Sequence, residues 1–257
     1  MYYLAAFSFL GFISCEDQPL IVQGNFARIE DFPHSVYMEV GCKQRRGSMT
    51  YYLCGASILN EKIVMSAAHC LAECMIPGTR IHISVGKNTD GGQMTTLRGL
   101  MIHEYYVDIG VGLGNDIALA RLNTALKFGN KVKRVALMAN PPYHEKATVA
   151  GWGIINEIIP DTSPFLHYID QYVLPATECV RRMGKFSKPG TLCAQNRNFN
   201  SYASRGDSGS ALVVRGYIQI GIVSYKVPKI SRSLVVYTDT GYFYDWITHN
   251  TKRLYCA

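Results

Sequence analysis

Short apolar runs recur along most of this chain, and Gly, Asn, Asp or Pro breaks each of them. Val, Ile, Tyr and Leu cluster over Ser35 to Val40, Gly55 to Leu59, Ile63 to Ser66, Ile81 to Val85 and Ile117 to Leu122. They cluster again over Ala147 to Gly151, Ala211 to Val214, Tyr217 to Ser224 and Leu234 to Thr238. Runs of this length with turn residues between them predict many short strands, and so an all-β barrel or sandwich. Only Tyr242 to Arg253 carries a helical pattern, with Phe243, Trp246 and Ile247 at helical spacing. The stretch from Gly86 to Arg98 reads as a loop. Polar residues and prolines collect between Asn123 and Pro142, where two halves of about 21–130 and 131–257 would join.

The N-terminus follows a different pattern. Residues 1–15 form an apolar segment too short to span a bilayer, and Glu16-Asp17-Gln18-Pro19 then turns abruptly polar. This reads as a signal peptide over 1–15, although the usual positive leading region is missing, with a short propeptide over 16–20 and a mature domain over 21–257. The expected product is secreted and extracellular, and no later run is apolar enough for a membrane helix. Secretion would put the eight cysteines in an oxidising compartment, where disulfides persist. A hydrophobic fraction of 48% and a charged fraction of 18% exclude a disordered chain. The formal charge of +7 bears on association with acidic partners rather than on fold. No basic run is interleaved with aromatics, so no nucleic-acid partner is expected. No Asn-x-Ser/Thr sequon is present.

Three polar stretches carry candidate chemistry. Arg205-Gly206-Asp207-Ser208-Gly209-Ser210 sets a serine between two glycines, which suits a nucleophile on a tight turn. Alone, such a cluster is an ordinary turn. Ser66-Ala67-Ala68-His69-Cys70 and Asn115-Asp116-Ile117-Ala118-Leu119-Ala120 change that reading. Amide hydrolysis needs a nucleophile, a base to take its proton, a group to orient the base, and donors for the developing oxyanion. Ser208, His69 and Asp116 supply the first three, and the order His, Asp, Ser along the chain is one known solution.

From Ile21 to about Asn250 the chain resembles the secreted chymotrypsin-like serine proteases. The histidine, aspartate and serine stretches are similar to that family's three catalytic motifs. Ala150-Gly151-Trp152-Gly153, Gly221-Ile222-Val223-Ser224 and Asp245-Trp246-Ile247 match further signatures. The resemblance implies two six-stranded antiparallel β-barrels with the active site between them and a short C-terminal helix. It implies His69 as general base, Asp116 as its orienting group, Ser208 as the nucleophile of an acyl-enzyme, and the Gly206 and Ser208 N–H groups as the oxyanion hole. It also implies a zymogen, in which a cut before Ile21 frees an ammonium that pairs with Asp207. The substrate would be a protein or peptide, with an activating protease and protein inhibitors as further partners, and the protein would be a monomer. Neither a cofactor nor a metal follows: Cys70 and Cys74 lack a second close pair, and Gly86 to Arg98 offers only Asp90 for calcium. Cys54 with Cys70 and Cys179 with Cys193 look like family disulfides; Cys42 with Cys74 is inferred from position alone. Cys256 then lacks a partner unless Cys15 survives signal cleavage. His34, His82, His103, His144, His167 and His249 lack catalytic context and are expected to be structural.

The chain also departs from the pattern. Leu20 precedes the expected cut where trypsin-activated members carry Arg or Lys, and Gln23 replaces a glycine. Along the specificity pocket, which would include Ser224, Tyr202 falls at the floor, and Lys226 and Val235 replace wall glycines. Ser204 stands where a wall cysteine is usual, and Ser210-Ala211 replaces Gly-Pro. Those side chains would narrow or close the cavity, which excludes tryptic specificity and leaves small residues before the cleaved bond, with Arg205 and Lys226 weakly favouring acidic groups. Two readings follow: a secreted serine endopeptidase of narrow, non-tryptic specificity, or a catalytically weak or inactive homologue that binds other proteins. The intact His69, Asp116 and Ser208 favour the first.

Overall fold

Twelve principal antiparallel strands form two closed barrels in the computed structural model, which describes residues 21, 22, 24–43, 47–74, 79–88, 91–110, 112–156 and 161–256. The first holds β1 (Ser35–Lys43), β2 (Met49–Ile58), β3 (Ile63–Ser66), β4 (Arg80–Asn88), β5 (Gly91–Ile102) and β6 (Ala118–Leu122). Their order is β1-β2-β3-β6-β5-β4, closed where β1 pairs with β4. The second holds β7 (Ala147–Gly151), β8 (His167–Val173), β9 (Thr191–Gln195), β10 (Ala211–Val214), β11 (Ile218–Lys226) and β12 (Val235–Asp239). It runs β8-β7-β10-β11-β12-β9, and β8 pairs back to β9 at Tyr172 and Val173. The predicted signal peptide and propeptide, with Cys15, Leu20, Gln23 and Asp90, lie outside the described residues.

β10 explains why the barrels share a boundary. Successive side chains on a strand point to opposite faces. Ala211 and Val213 accordingly join the first barrel's core, while Leu212 and Val214 join the second's. An unbroken apolar run is what a strand buried on both faces requires. The nucleophile turn feeds directly into this strand, so Ser208 sits at the seam between the two cores. A buried hydrogen bond from Ser57 Oγ on β2 to Gln219 Oε1 on β11, at 2.7 Å, crosses the same boundary.

Several elements differ from the expectation. Gly86 to Arg98 is no loop: β4 and β5 form a hairpin through it, with His82 opposite Thr96 and Val85 opposite Gln93. Its Gly-Gly-Gln and Thr-Thr composition hid a strand that barrel closure enforces, since strand preference depends strongly on pairing context. β8, β9 and an α-helix, α1 (Ala176–Met183), were equally unmarked; α1 buries only Cys179 and Met183, four residues apart. The C-terminal helix α2 (Tyr244–Cys256) runs beyond the predicted end at Arg253, and buries Ile247, Asn250 and Leu254 at helical spacing. Disulfides join Cys42 to Cys74, Cys54 to Cys70 and Cys179 to Cys193, leaving Cys256 free and exposed.

Candidate active site

β3 ends in a single 3-10 turn, Ala68–Cys70, which presents His69 at the mouth of the first barrel. Asp116 precedes β6, just after Asn115 at a positive φ of 50°. β3 and β6 are neighbours in the barrel, with Ser66 opposite Ala118, and this pairing brings the two side chains together. The His69 Nδ1 lies 2.8 Å from Asp116 Oδ2, and the His69 backbone N–H donates to Asp116 Oδ1 at 2.8 Å. Ser224 Oγ, from β11, donates to Asp116 Oδ2 at 2.5 Å. Thr238 Oγ1, from β12, donates to the Asp116 carbonyl at 2.7 Å. Groups from both barrels therefore fix one carboxylate. The Asp116 side chain is 1% exposed and that of His69 24%, so the acid is sealed while the imidazole stays reachable.

The charges follow from this geometry. Burial by itself would raise the Asp116 carboxyl, but the charge and hydrogen bond of His69, with the Ser224 hydroxyl, hold it below the ordinary carboxylate range. Burial would likewise lower His69, yet Asp116, helped by Asp108, lifts the imidazole above its ordinary value. The pair therefore favours a His69 that readily accepts a proton.

The Ser208 turn is built around glycines that nothing else could replace. Gly206 and Gly209 hold φ of +95° and +85°, and a Cβ on Gly209 would come within 2.2 Å of the Gly55 carbonyl oxygen and Ser66 Oγ. Ser208 accepts a hydrogen bond from Gly55 N–H at 2.7 Å through its carbonyl. Among the described residues, neither Gly206 N–H nor Ser208 N–H is engaged with a backbone carbonyl. Cys70 Sγ lies 3.8 Å from His69 Nε2 and 3.6 Å from the Ser208 carbonyl oxygen, so the Cys54–Cys70 disulfide braces both residues. Because those two sulfurs are bonded to each other, the Cys54, His69 and Cys70 cluster is not a set of metal ligands. No hydrogen bond joins the Ser208 hydroxyl to the His69 ring among the described residues.

Asp207 lies buried beneath this turn, and its carboxylate accepts the N–H groups of Gly153 and Ser204, each at 2.9 Å. Burial pushes its pKa up to about 6, and the two hydrogen bonds and the attraction of Lys226 only partly oppose that. Ile21 is 1% exposed in the second barrel's core beside Tyr202 and Val149. The next residue anchors the segment, since Val22 O accepts Tyr202 N–H at 3.3 Å.

The predicted pocket residues come together as a wall. Lys226 and Val235 are cross-strand partners on β11 and β12, and the Lys226 ammonium lies 4.0 Å from the centroid of the buried Tyr202 ring. Ser224, grouped with this wall in the sequence, belongs by its hydroxyl to Asp116 instead. Beside the wall a cavity of about 460 Å³ is lined by Asp108, Leu113, Phe186, Tyr225, Lys226 and Lys229. Sequence reasoning missed Thr238 and Asp108, because one threonine in a strand and one loop aspartate carry no local signal. Of the remaining histidines, His34 and His167 are buried and desolvated to a pKa of about 4. His103 stacks on Trp246 at 4.9 Å.

The trypsin family profile matches residues 21–247. The chain is 33% identical to hypodermin-B of Hypoderma lineatum, over 90% of this chain and 88% of that protein. It is 31% identical to trypsin alpha-4 of Lucilia cuprina, over 80% and 76%. Its fold superimposes on the structure of HL collagenase with a TM-score of 0.75 at 22% identity, covering 90% of this chain and 99% of the other. A scabies mite inactivated protease paralogue matches with a TM-score of 0.74 at 23% identity, over 89% and 96%. Together with the two barrels and the seam between them, these matches establish that the chain belongs to the trypsin family of serine proteases.

Proposed function

We propose that this protein is a secreted serine endopeptidase, made as an inactive precursor, that cleaves peptide bonds through His69, Asp116 and Ser208. The observation that carries this reading is the sealed Asp116 carboxylate, held by Ser224 and the His69 backbone and paired with His69 Nδ1 at 2.8 Å. That contact fixes the tautomer in which Nε2 is free to take a proton. Ser208 Oγ attacks the substrate carbonyl and transfers its proton to Nε2, and the oxyanion is met by the Gly206 and Ser208 N–H groups. The imidazolium then protonates the leaving amine, and water repeats the sequence on the acyl-enzyme. Losing one oxyanion donor would cost about 2.7–4 kcal/mol. Hydrogen bonds of this kind often tighten only once substrate is bound, which fits the open Ser208–His69 contact.

Two features support activation by a cut before Ile21. Burial raises the Asp207 carboxyl to about 6, and in the continuous chain the Ile21 nitrogen is an uncharged amide that supplies no cation to oppose it. Leaving one member of a buried pair uncompensated costs about 3–5 kcal/mol, enough to hold the oxyanion turn unready. Ile21 also sits at φ 62°, which a β-branched residue adopts only under strain of about 1–3 kcal/mol. Cleavage abolishes that torsion, because an N-terminal residue has no φ. Leu20 before the cut argues against activation by a trypsin-like enzyme.

A second reading rests on one contact. Lys226 lies over Tyr202 with Val235 as its cross-strand partner, and side chains there would obstruct an entering substrate side chain, as expected of an inactive homologue that binds other proteins. Labelling with a fluorophosphonate separates the two, since it reports an activated serine without needing the right peptide. Protein with a free Ile21 N-terminus should label, Ser208→Ala should not, and the uncut chain should label weakly. A folded, correctly cut protein that stays unlabelled would overturn the enzyme reading in favour of the binding one.

A further inference from the structure

Away from the catalytic seam, the crossover between the barrels is tied to both of them. Val135 N–H donates to the Ile58 carbonyl at 2.9 Å, Ala136 N–H to the Tyr217 carbonyl at 2.9 Å, and Gln219 N–H to the Ala136 carbonyl at 3.0 Å. Between this crossover and α2 lies a cavity of about 510 Å³. Its size falls within the range of roughly 300–1,000 Å³ typical of small-molecule sites, which often form at junctions between domains. Leu59, Val135, Leu137 and Ile247 give it an apolar lining.

The charged groups around that lining are of one sign. Arg134 comes from the crossover and Lys252 from α2, and no acidic side chain lines the cavity. Neither cation makes a salt bridge among the described residues. The nearest competitor is Glu61, which feels the charge of Arg134 but accepts the Tyr255 hydroxyl at 2.6 Å. Thr251 lines the same cavity, and its hydroxyl is buried without a hydrogen-bond partner. Buried polar atoms in folded proteins nearly always find a partner, so this one is an open position for a ligand atom or a water. None of these features contributes to His69, Asp116 or Ser208.

We propose that this junction cavity binds a small amphipathic organic anion. A carboxylate head pairs with Arg134 and Lys252 within reach of Thr251, and an aliphatic or aromatic body lies on Leu59, Val135, Leu137 and Ile247. The overall charge of +7 favours capture of such a ligand. Because the cavity is assembled from both barrels, the crossover and α2, the ligand binds only the folded chain and raises its melting temperature.

Calorimetry on the full chain, with decanoate as probe and decanol as its neutral counterpart, tests this. One decanoate should bind per chain, decanol should bind about tenfold or more weakly, and added salt should weaken only decanoate. The double variant Arg134→Gln/Lys252→Gln changes exposed side chains, so it should stay folded and lose about tenfold or more in decanoate affinity. Thr251→Val keeps the shape and removes the hydroxyl, and should lose roughly threefold to tenfold. Equal binding of decanol and decanoate, undiminished binding to both variants, or no binding of decanoate at all would overturn the proposal.

Discussion

Ser224 and Lys226 lie close together on β11, and they meet very different neighbours. The Ser224 hydroxyl donates to a carboxylate that is already held by His69. The Lys226 ammonium lies over the Tyr202 ring. The first contact belongs to a network in which Asp116 Oδ2 is met by both His69 Nδ1 and Ser224 Oγ, and Oδ1 by the His69 N–H. Replacing any member leaves a buried charge or donor unsatisfied, which is expensive. The second region is built on a cation over an aromatic ring, and the Lys226 charge also reaches the buried Asp207 carboxylate. One strand thus presents a hydroxyl to a buried carboxylate at one position and a cation to an aromatic ring two residues on.

The largest expected effect breaks the rigid side of this contrast. Asp116→Asn keeps the shape but reverses a hydrogen bond, so His69 is held in the wrong tautomer, and kcat should fall about 10,000-fold, the figure established for this change in related serine proteases. The KM for a peptide substrate should hardly move. The same variant removes the charge that lifts His69, so any residual activity should lose its acid limb at a lower pH than in the parent. A kcat within tenfold of the parent would show that the Asp116–His69 contact is not the catalytic edge.

The next effect concerns Asp207, and its sign depends on the cut. In the uncut chain the carboxyl titrates at about 6 rather than its ordinary 3.8, so the folded state holds its proton more tightly than the unfolded chain does. Stability of the uncut form should therefore fall as pH rises through that window, by on the order of 3 kcal/mol from this one group. Once cut, an Ile21 ammonium beside Asp207 should depress the carboxyl below its ordinary 3.8, so the fall across that window should vanish and the slope from this group should appear below it with the opposite sign. Denaturant unfolding of cut and uncut Ser208→Ala protein across that pH range measures the difference, and superimposable pH dependences would remove Ile21 from the activation pair.

Much of this was legible in the sequence, for a physical reason that also explains the gaps. β3, β7 and β10 could be read to their end residues because they are buried along most or all of their length, and burial demands an apolar run. β5 could not, since it alternates exposed and half-buried positions and owes its conformation to pairing with β4 and β6. The same division holds in the candidate site. His69, Asp116 and Ser208 lie in short motifs whose neighbours are fixed by tight packing, as the space around Gly209 shows. Thr238 is recruited across sheets by the fold, so no local pattern marks it. Tyr202, Lys226 and Val235 are far apart in sequence or separated by a strand turn, and what joins them is a cross-strand register and a cation over a ring, neither of which leaves a local pattern.

A smaller effect tests the shared strand from its rigid end. Ser224→Ala removes one hydrogen bond to a buried carboxylate, an interaction worth about 1.5–3 kcal/mol, so kcat should fall roughly 10- to 100-fold. Because Asp116 keeps its two bonds to His69, the loss should stay well below that of Asp116→Asn. If kcat changes less than twofold, the Ser224 contact does not help to orient the carboxylate.

The smallest effect tests the strand at Lys226. Lys226→Gly removes the ammonium from over Tyr202, forfeiting a cation–π contact of about 0.5–1 kcal/mol and adding a similar penalty for glycine in a strand. The chain should remain folded but slightly less stable, and Asp207 should titrate higher still without the attraction of Lys226. Peptides with bulky apolar residues before the cleaved bond should gain on the order of tenfold in kcat/KM, about what modest changes in an apolar pocket deliver. Peptides with acidic residues there should lose, because the nearby cation is gone. If neither class changes while fluorophosphonate labelling persists, the wall of Tyr202, Lys226 and Val235 is not what limits substrate entry. Selectivity would then have to reside in the cavity lined by Leu113, Phe186 and Tyr225.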